Sequence, residues 1–242
     1  MSIDVRDATS AGAPVDVHAA VAAAFTALHD ADERFSRFRP DSEISRIRRG
    51  ALEATAASPD VREVLAVAER ARIASGDAFR VVDPAGLLDT DGVVKGWAAQ
   101  RAADLLRDAG VRSFCVNAGG DVATAGEPEP GRPWQVAVRD PFDPRGHLAI
   151  LSLRDGAVAT SGTYERGAHV WDGRGSHALE LVAATVVASS LTDADVLATS
   201  VLVLGGDGPR WAVEHGADLV ITVDHSGAVR TAGREAAPTG TG

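Results

Sequence analysis

The stretch Asp89-Thr90-Asp91-Gly92-Val93-Val94-Lys95-Gly96-Trp97-Ala98 gathers two carboxylates, two glycines and a lysine within eight residues. The run 98–109 is rich in alanine and leucine and stops at Gly110, so the stretch reads as the end of a loop and the start of a helix. A glycine-bearing helix start collects unpaired N–H groups at the positive end of the helix dipole, which suits an anion such as a phosphate. Lys95 adds a point charge there. The same residues also fit an ordinary capped helix with an exposed lysine. The glycine spacing matches neither a Walker loop nor a dinucleotide fingerprint.

Three further segments set polar groups where strands end: Asn117-Ala118-Gly119-Gly120-Asp121, Thr160-Ser161-Gly162, and Asp193-Ala194-Asp195-Val196-Leu197-Ala198-Thr199. In the last, Asp195 and Thr199 are four residues apart, which puts a carboxylate and a hydroxyl on one helical face. Such a pair suits a hard cation that keeps its waters and binds substrate phosphates, the habit of Mg²⁺. It also fits an aspartate N-cap with a solvated threonine. Asp193 lies on a different face from Thr199 and reads as a cap or a supporting residue. His169 fits either a base or a hydrogen-bonded structural histidine. Cys115, inside the apolar run Ser113-Phe114-Cys115-Val116, reads as a buried inert thiol.

The elements that must position these groups follow from periodicity and breakers. Helices are predicted over 15–38, with Val17, Val21, Phe25 and Leu28 on one face, over 43–49 beyond Pro40, and over 61–75 behind Ser58-Pro59-Asp60. Phe35 and Phe38 would then sit in the core at a helix corner. Strands are predicted over 79–82, 113–116, 134–138, 148–153 and 181–188, the last β-branched and central. A short strand is also read at 3–6. Glu127 opens a polar, proline-bearing hairpin loop over 127–133. Helices over 193–204 and 211–215 precede a final hairpin, 219–223 with 228–231, around Asp224-His225-Ser226-Gly227.

The chain has 242 residues, 45% hydrophobic and 24% charged, an ordinary globular balance that we assign to one domain over 1–242 with loose ends at 1–14 and 233–242. A formal net charge of −10 argues against nucleic-acid binding and against attraction to anionic lipid. One cysteine excludes an intramolecular disulfide and fits a reducing compartment. No apolar run reaches the roughly 18 residues of a membrane helix, and 1–14 lacks the basic start and apolar centre of a signal peptide. The expectation is a cytoplasmic protein without membrane insertion.

Taken in order, these segments resemble the FAD:protein FMN transferase (ApbE) family, from about residue 35 to residue 231. The motifs that carry the likeness begin with Phe35-Ser36-Arg37-Phe38 and Asp41-Ser42-Glu43-Ile44. Next come Asp89 through Gly92 to Lys95-Gly96-Trp97, then Asn117-Ala118-Gly119-Gly120-Asp121 with Pro133-Trp134. Ala159-Thr160-Ser161-Gly162 with Tyr164, His169-Val170-Trp171-Asp172, and Asp195 to Thr199 complete the set.

The resemblance implies an α+β fold of mixed sheets with packed helices. It implies Mg²⁺-dependent transfer of FMN from FAD to a threonine or serine hydroxyl of an acceptor protein, with release of AMP. Two alternatives stay open: a non-catalytic flavin-binding protein, and an FAD pyrophosphatase giving FMN and AMP. By position, Asp89 and Lys95 would touch FAD, and Phe38 would be the aromatic at the flavin. Ser42, Asn117, Asp121 and Asp172 would join the cofactor-binding set. The turns at Gly119-Gly120 and Thr160-Ser161-Gly162 would let backbone approach FAD closely. The Gly92 carbonyl, Asp195 and Thr199 would hold Mg²⁺, and His169 would be the base for the acceptor hydroxyl. The chain departs from the family pattern in lacking a Met-Gly-Thr strand near residues 1–7 and an aromatic stretch after Phe79. Gln100 stands where aspartate is common, and Gly173 where proline follows Asp172.

Overall fold

The computed structural model describes residues 1–7, 15–83, 85–163, 171–175 and 178–234. Its centre is a seven-stranded sheet in which every neighbouring pair is antiparallel, in the order β1-β2-β3-β6-β7-β8-β9. The strands are β1 (Ser2–Val5), β2 (Phe114–Ala118), β3 (Asp121–Ala125), β6 (Gly156–Gly162), β7 (Leu181–Ala188), β8 (Leu219–Asp224) and β9 (Val229–Gly233). Strands β4 (Trp134–Arg139) and β5 (His147–Leu153) form a separate two-stranded ribbon. The ribbon covers one face of the sheet through a small cluster of Val122, Val136 and Val158 with Leu151 and Leu153.

The other face carries the helices. These are α1 (Val17–Phe35), α2 (Glu43–Arg48), α3 (Pro59–Ala74), α4 (Asp91–Asp108), α5 (Leu191–Leu204) and α6 (Gly208–Glu214). Helix α5 packs on β6 and β7 and against α4, and α1 lies on α4. Alanines make this approach close: Ala98, Ala99, Ala102 and Ala103 of α4 and Ala157, Ala159, Ala184 and Ala188 of the sheet are all buried. Because β3 and β6 are covered on both faces, they lack the polar alternation seen in β4, where exposed and buried residues strictly alternate.

Most predicted elements are present within a few residues, and three differ. Residues 79–82 form no strand. They run into a tight loop held by a single bridge between Val82 and Leu88, and the Asp83 carboxylate accepts the N–H groups of Ala85 and Leu87. Helix α4 starts at Asp91, so Gly92, Lys95 and Gly96 lie within its first two turns rather than in a loop before it. Glycine disfavours a helix interior by about 1 kcal/mol, but packing overrides that here. A Cβ on Gly96 would lie 2.6 Å from both the Asp195 Cβ and the Leu191 carbonyl oxygen, so only glycine lets α4 and α5 meet at this point. Helix α1 ends at Phe35, with extended backbone at Ser36, which leaves Phe35 in the core and Phe38 84% exposed. Of the ends expected to be loose, residues 2–5 form an edge strand and Gly233 closes another, while 8–14 and 235–242 lie outside the described residues.

Candidate active site

The N-terminal turns of α4 and the α5 face meet the β6 end over a cleft. Among its described lining residues are Arg37, Phe79, Asp89, Asp91, Gly92, Lys95, Thr160, Ser161, Gly162, Trp171, Asp195 and Thr199. Eight of the residues singled out in the sequence converge here: Asp89, Gly92, Lys95, Thr160, Ser161, Gly162, Asp195 and Thr199. They come from three distant segments, and the fold brings them to one place.

Asp195 is 2% exposed. Its Oδ2 accepts the Gly96 N–H at 2.8 Å. In a regular helix that N–H serves the carbonyl four residues back, here Gly92. Asp195 thus engages the donor that would otherwise belong wholly to the Gly92 carbonyl. Thr199, one turn further along α5, shares a hydrogen bond of 2.9 Å between its hydroxyl and that of Ser161 on β6. The Thr199 methyl lies 3.9 Å from where a Gly92 Cβ would stand, so the three expected metal-site residues are neighbours. Asp193 is exposed and works as the sequence suggests. It forms a capping pair with Ser190, whose hydroxyl accepts the Asp193 N–H and donates to its carboxylate at 2.6 Å.

Lys95 Nζ lies 2.5 Å from Asp121 Oδ2 and 3.8 Å from Asp195 Oδ1. Asp121 is 2% exposed, and its Oδ1 accepts the Thr160 N–H at 3.0 Å. Its Oδ2 has no well-directed hydrogen bond, so the lysine contact is ionic. The sequence treats Lys95 and Asp121 as separate contacts for a cofactor. In the structure they are ion-paired, and Asp121 lies behind the lysine rather than on the described cleft wall.

Asp89 is buried. Arg37 pairs with its Oδ2, its Oδ1 accepts the Asp91 N–H at 3.1 Å, and the same guanidinium reaches Asp91 at 3.3 Å. Arg37 also lies over the exposed Phe38 ring, 5.3 Å from its centroid. Phe38 is therefore beside the cleft on Arg37, away from the core.

The remaining expected residues have structural partners. Ser42 caps α2: its hydroxyl accepts the Ser45 N–H at 3.0 Å and donates to the Ser36 carbonyl at 2.6 Å. The Asn117 side chain accepts the Gly120 N–H at 2.9 Å and closes the β2–β3 turn, where Gly119 and Gly120 have φ of 69° and 106°. Space beside both glycines is open. Asp172, next to Trp171 of the cleft, receives Arg174 through two bonds of 2.9 Å. None of these lines the described cleft. His169 and Tyr164 lie outside the described residues. Sequence reading passed over Phe79, Arg80 and Val203, which also line the cleft. No motif marks them. For Arg37 the available signal is an arginine beside an aromatic at a helix end.

Among the described residues, no cluster of three or more His, Cys, Asp or Glu side chains is arranged to hold a metal ion, and no helix is long and apolar enough to cross a membrane. The fold is shared with solved structures. The flavin transferase ApbE from Vibrio cholerae superposes with a TM-score of 0.79 at 22% identity, over 93% of this chain and 91% of that one. The ApbE protein of Thermotoga maritima gives 0.78 at 21% identity, over 91% of each chain. At that identity the likeness speaks for the fold.

In sequence, the FAD:protein FMN transferase of Rhodobacter capsulatus is 35% identical over 166 residues, which is 64% of this chain and 31% of the relative. The FAD:protein FMN transferase of Vibrio cholerae is 34% identical over 130 residues, 49% of this chain and 39% of the relative. The matches thus span about a third of the length of these relatives. The sequence pattern of the ApbE family matches residues 1–85 and 82–221, nearly the whole described chain, and the chain belongs to the ApbE family.

Proposed function

We propose that the protein transfers FMN from FAD to a threonine or serine hydroxyl of an acceptor protein and releases AMP. The observation that carries this reading is the convergence of Asp195, Thr199, Gly92 and Lys95 on one cleft. Family membership and the names of the matched relatives support it.

Charge gives the physical reason. Among the described cleft residues, three cations (Arg37, Arg80, Lys95) face three carboxylates (Asp89, Asp91, Asp195), so the wall is close to neutral. A pyrophosphate entering it brings two negative charges that the protein does not balance. A divalent cation would. The donor set fits Mg²⁺, which takes one or two carboxylates and completes its octahedron with waters and phosphate oxygens. Asp195 would supply the charge, and Thr199 and the Gly92 carbonyl the neutral oxygens. Bound there, Mg²⁺ would neutralise charge on the pyrophosphate and polarise its phosphorus–oxygen bonds.

The chain's own residues do the rest. Ser161 orients the Thr199 hydroxyl, and Arg37 holds Asp89 at the rim. In the reaction the acceptor oxygen forms a bond to the flavin-side phosphorus. The bond from that phosphorus to the bridging oxygen breaks, and AMP departs with that oxygen. His169 takes the hydroxyl proton, since histidine's intrinsic pKa suits a base near neutrality. A cytoplasmic location belongs to the same proposal, and the single cysteine fits the reducing compartment it implies.

The test incubates the protein with FAD, Mg²⁺ and a threonine-bearing acceptor peptide. AMP together with flavin covalently on the peptide is the expected outcome. AMP with free FMN alone would make the protein a pyrophosphatase. Intact bound FAD would make it a flavin store.

A further inference from the structure

We infer that Lys95 is an internal counterion that holds the electrostatic place of a divalent cation at Asp195. Asp121 is then the positioning residue that holds its ammonium beside Asp195 rather than on it. The inference rests on reading Asp195, Thr199 and Gly92 as the metal seat.

The geometry is that of one cation shared between two fixed anions. Both carboxylates are 2% exposed. Each is tied to backbone: Asp121 Oδ1 by the Thr160 N–H, and Asp195 Oδ2 by the Gly96 N–H. Gly96 has no room to shift toward Asp195, because α4 and α5 are already in contact there. The lysine is the mobile partner, a point charge on a flexible four-carbon stem. Its ammonium is 2.5 Å from Asp121 and 3.8 Å from Asp195, held by the first and within reach of the second.

Two buried carboxylates and one ammonium leave this group one charge negative. That is too little to draw a doubly charged ion strongly when a cation already stands within 4 Å of its ligand. Without Lys95 the same pocket would be doubly negative and would bind a divalent ion well. With Lys95, the ion binds well only when an anionic pyrophosphate adds charge. Metal and nucleotide then favour each other, and the coupling must be reciprocal. Asp121 makes this workable. Pairing with Asp121 keeps the ammonium off the metal's ligand and stops it from settling on Asp195.

Mn²⁺ serves as the probe, with free Mn²⁺ read by electron paramagnetic resonance in the presence and absence of FAD. In the absence of FAD, Lys95→Met should bind Mn²⁺ on the order of tenfold more tightly than wild type, and FAD should add much less to that affinity. Asp121→Asn keeps an acceptor for the Thr160 N–H but presents no charge to the lysine. It should bind Mn²⁺ several-fold more weakly than wild type with FAD present, because the ammonium loses the anion that holds it off Asp195. Lys95→Arg, which keeps the charge, should stay near wild type. Folded Lys95→Met with unchanged or weaker Mn²⁺ affinity would overturn the counterion role, and so would Asp121→Asn binding like wild type. If Lys95→Met/Asp195→Asn bound as tightly as Lys95→Met, the metal seat itself would be misassigned.

Discussion

Cys115 sits in an apolar run, which predicts a buried inert thiol; in the structure it is half-buried, and that burial, with the Asp4 carboxylate opposite it on β1, pushes its pKa up from 9.0 to about 11. A thiol is neutral when protonated, so a raised pKa means that this group's contribution to stability is complete below about pH 9. The contribution is lost as pH rises through about 11. Alkylation by iodoacetamide at pH 8 should therefore be much slower for the folded protein than for the unfolded chain. Equal rates would contradict the burial argument. Lys95 and Asp121 were less legible. Each was readable as a polar group near a cofactor, but sequence spacing cannot reveal that two residues on different elements neutralise each other. Phe38 shows the converse. Helical periodicity carried it into the core with Phe35, whereas the helix stops at Phe35 and turns Phe38 out to stack under Arg37.

At the scale of elements, the contact between α4 and α5 positions the site, and Gly96 permits it. Gly96→Ala should lower stability by about 1–3 kcal/mol in chemical denaturation, because the new methyl meets the Asp195 side chain and the Leu191 carbonyl. This reverses the usual gain of about 1 kcal/mol for replacing a helical glycine by alanine. Gly92→Ala is the internal contrast. Its Cβ would meet only Phe79 at 3.6 Å and Thr199 at 3.9 Å, ordinary contact distances, so its stability should not fall. Two stabilised variants would mean that the helices do not meet at Gly96. The elements themselves were largely readable: β7 over Leu181–Ala188 matches its predicted limits, as its β-branched residues imply. Strand β3 was missed because Asp121–Ala125, buried on both faces and built from small residues, offers neither alternation nor bulk. The expected strand at 79–82 is reduced to the single Val82–Leu88 bridge because Asp83 captures local N–H groups and turns the chain back at once.

For the whole molecule, the fold class was legible because motif order and element pattern pointed to one α+β architecture, and the solved ApbE structures share it. Strand order was not, since nothing local tells β3 to pair with β6 across the intervening ribbon. The near-neutral cleft in a chain of net charge −10 is a property that only the assembled molecule has. It makes metal dependence the most exposed consequence of the account. The most direct measurement is AMP release from FAD, with Mg²⁺ and with excess chelator, by wild type, Asp195→Asn and Asp193→Asn. Chelator should silence the wild type, and Asp195→Asn, isosteric but uncharged, should be inactive with or without Mg²⁺. Asp193→Asn, altered only in an exposed helix cap, should keep most of its activity. Full activity in chelator, or equal behaviour of the two variants, would contradict the account.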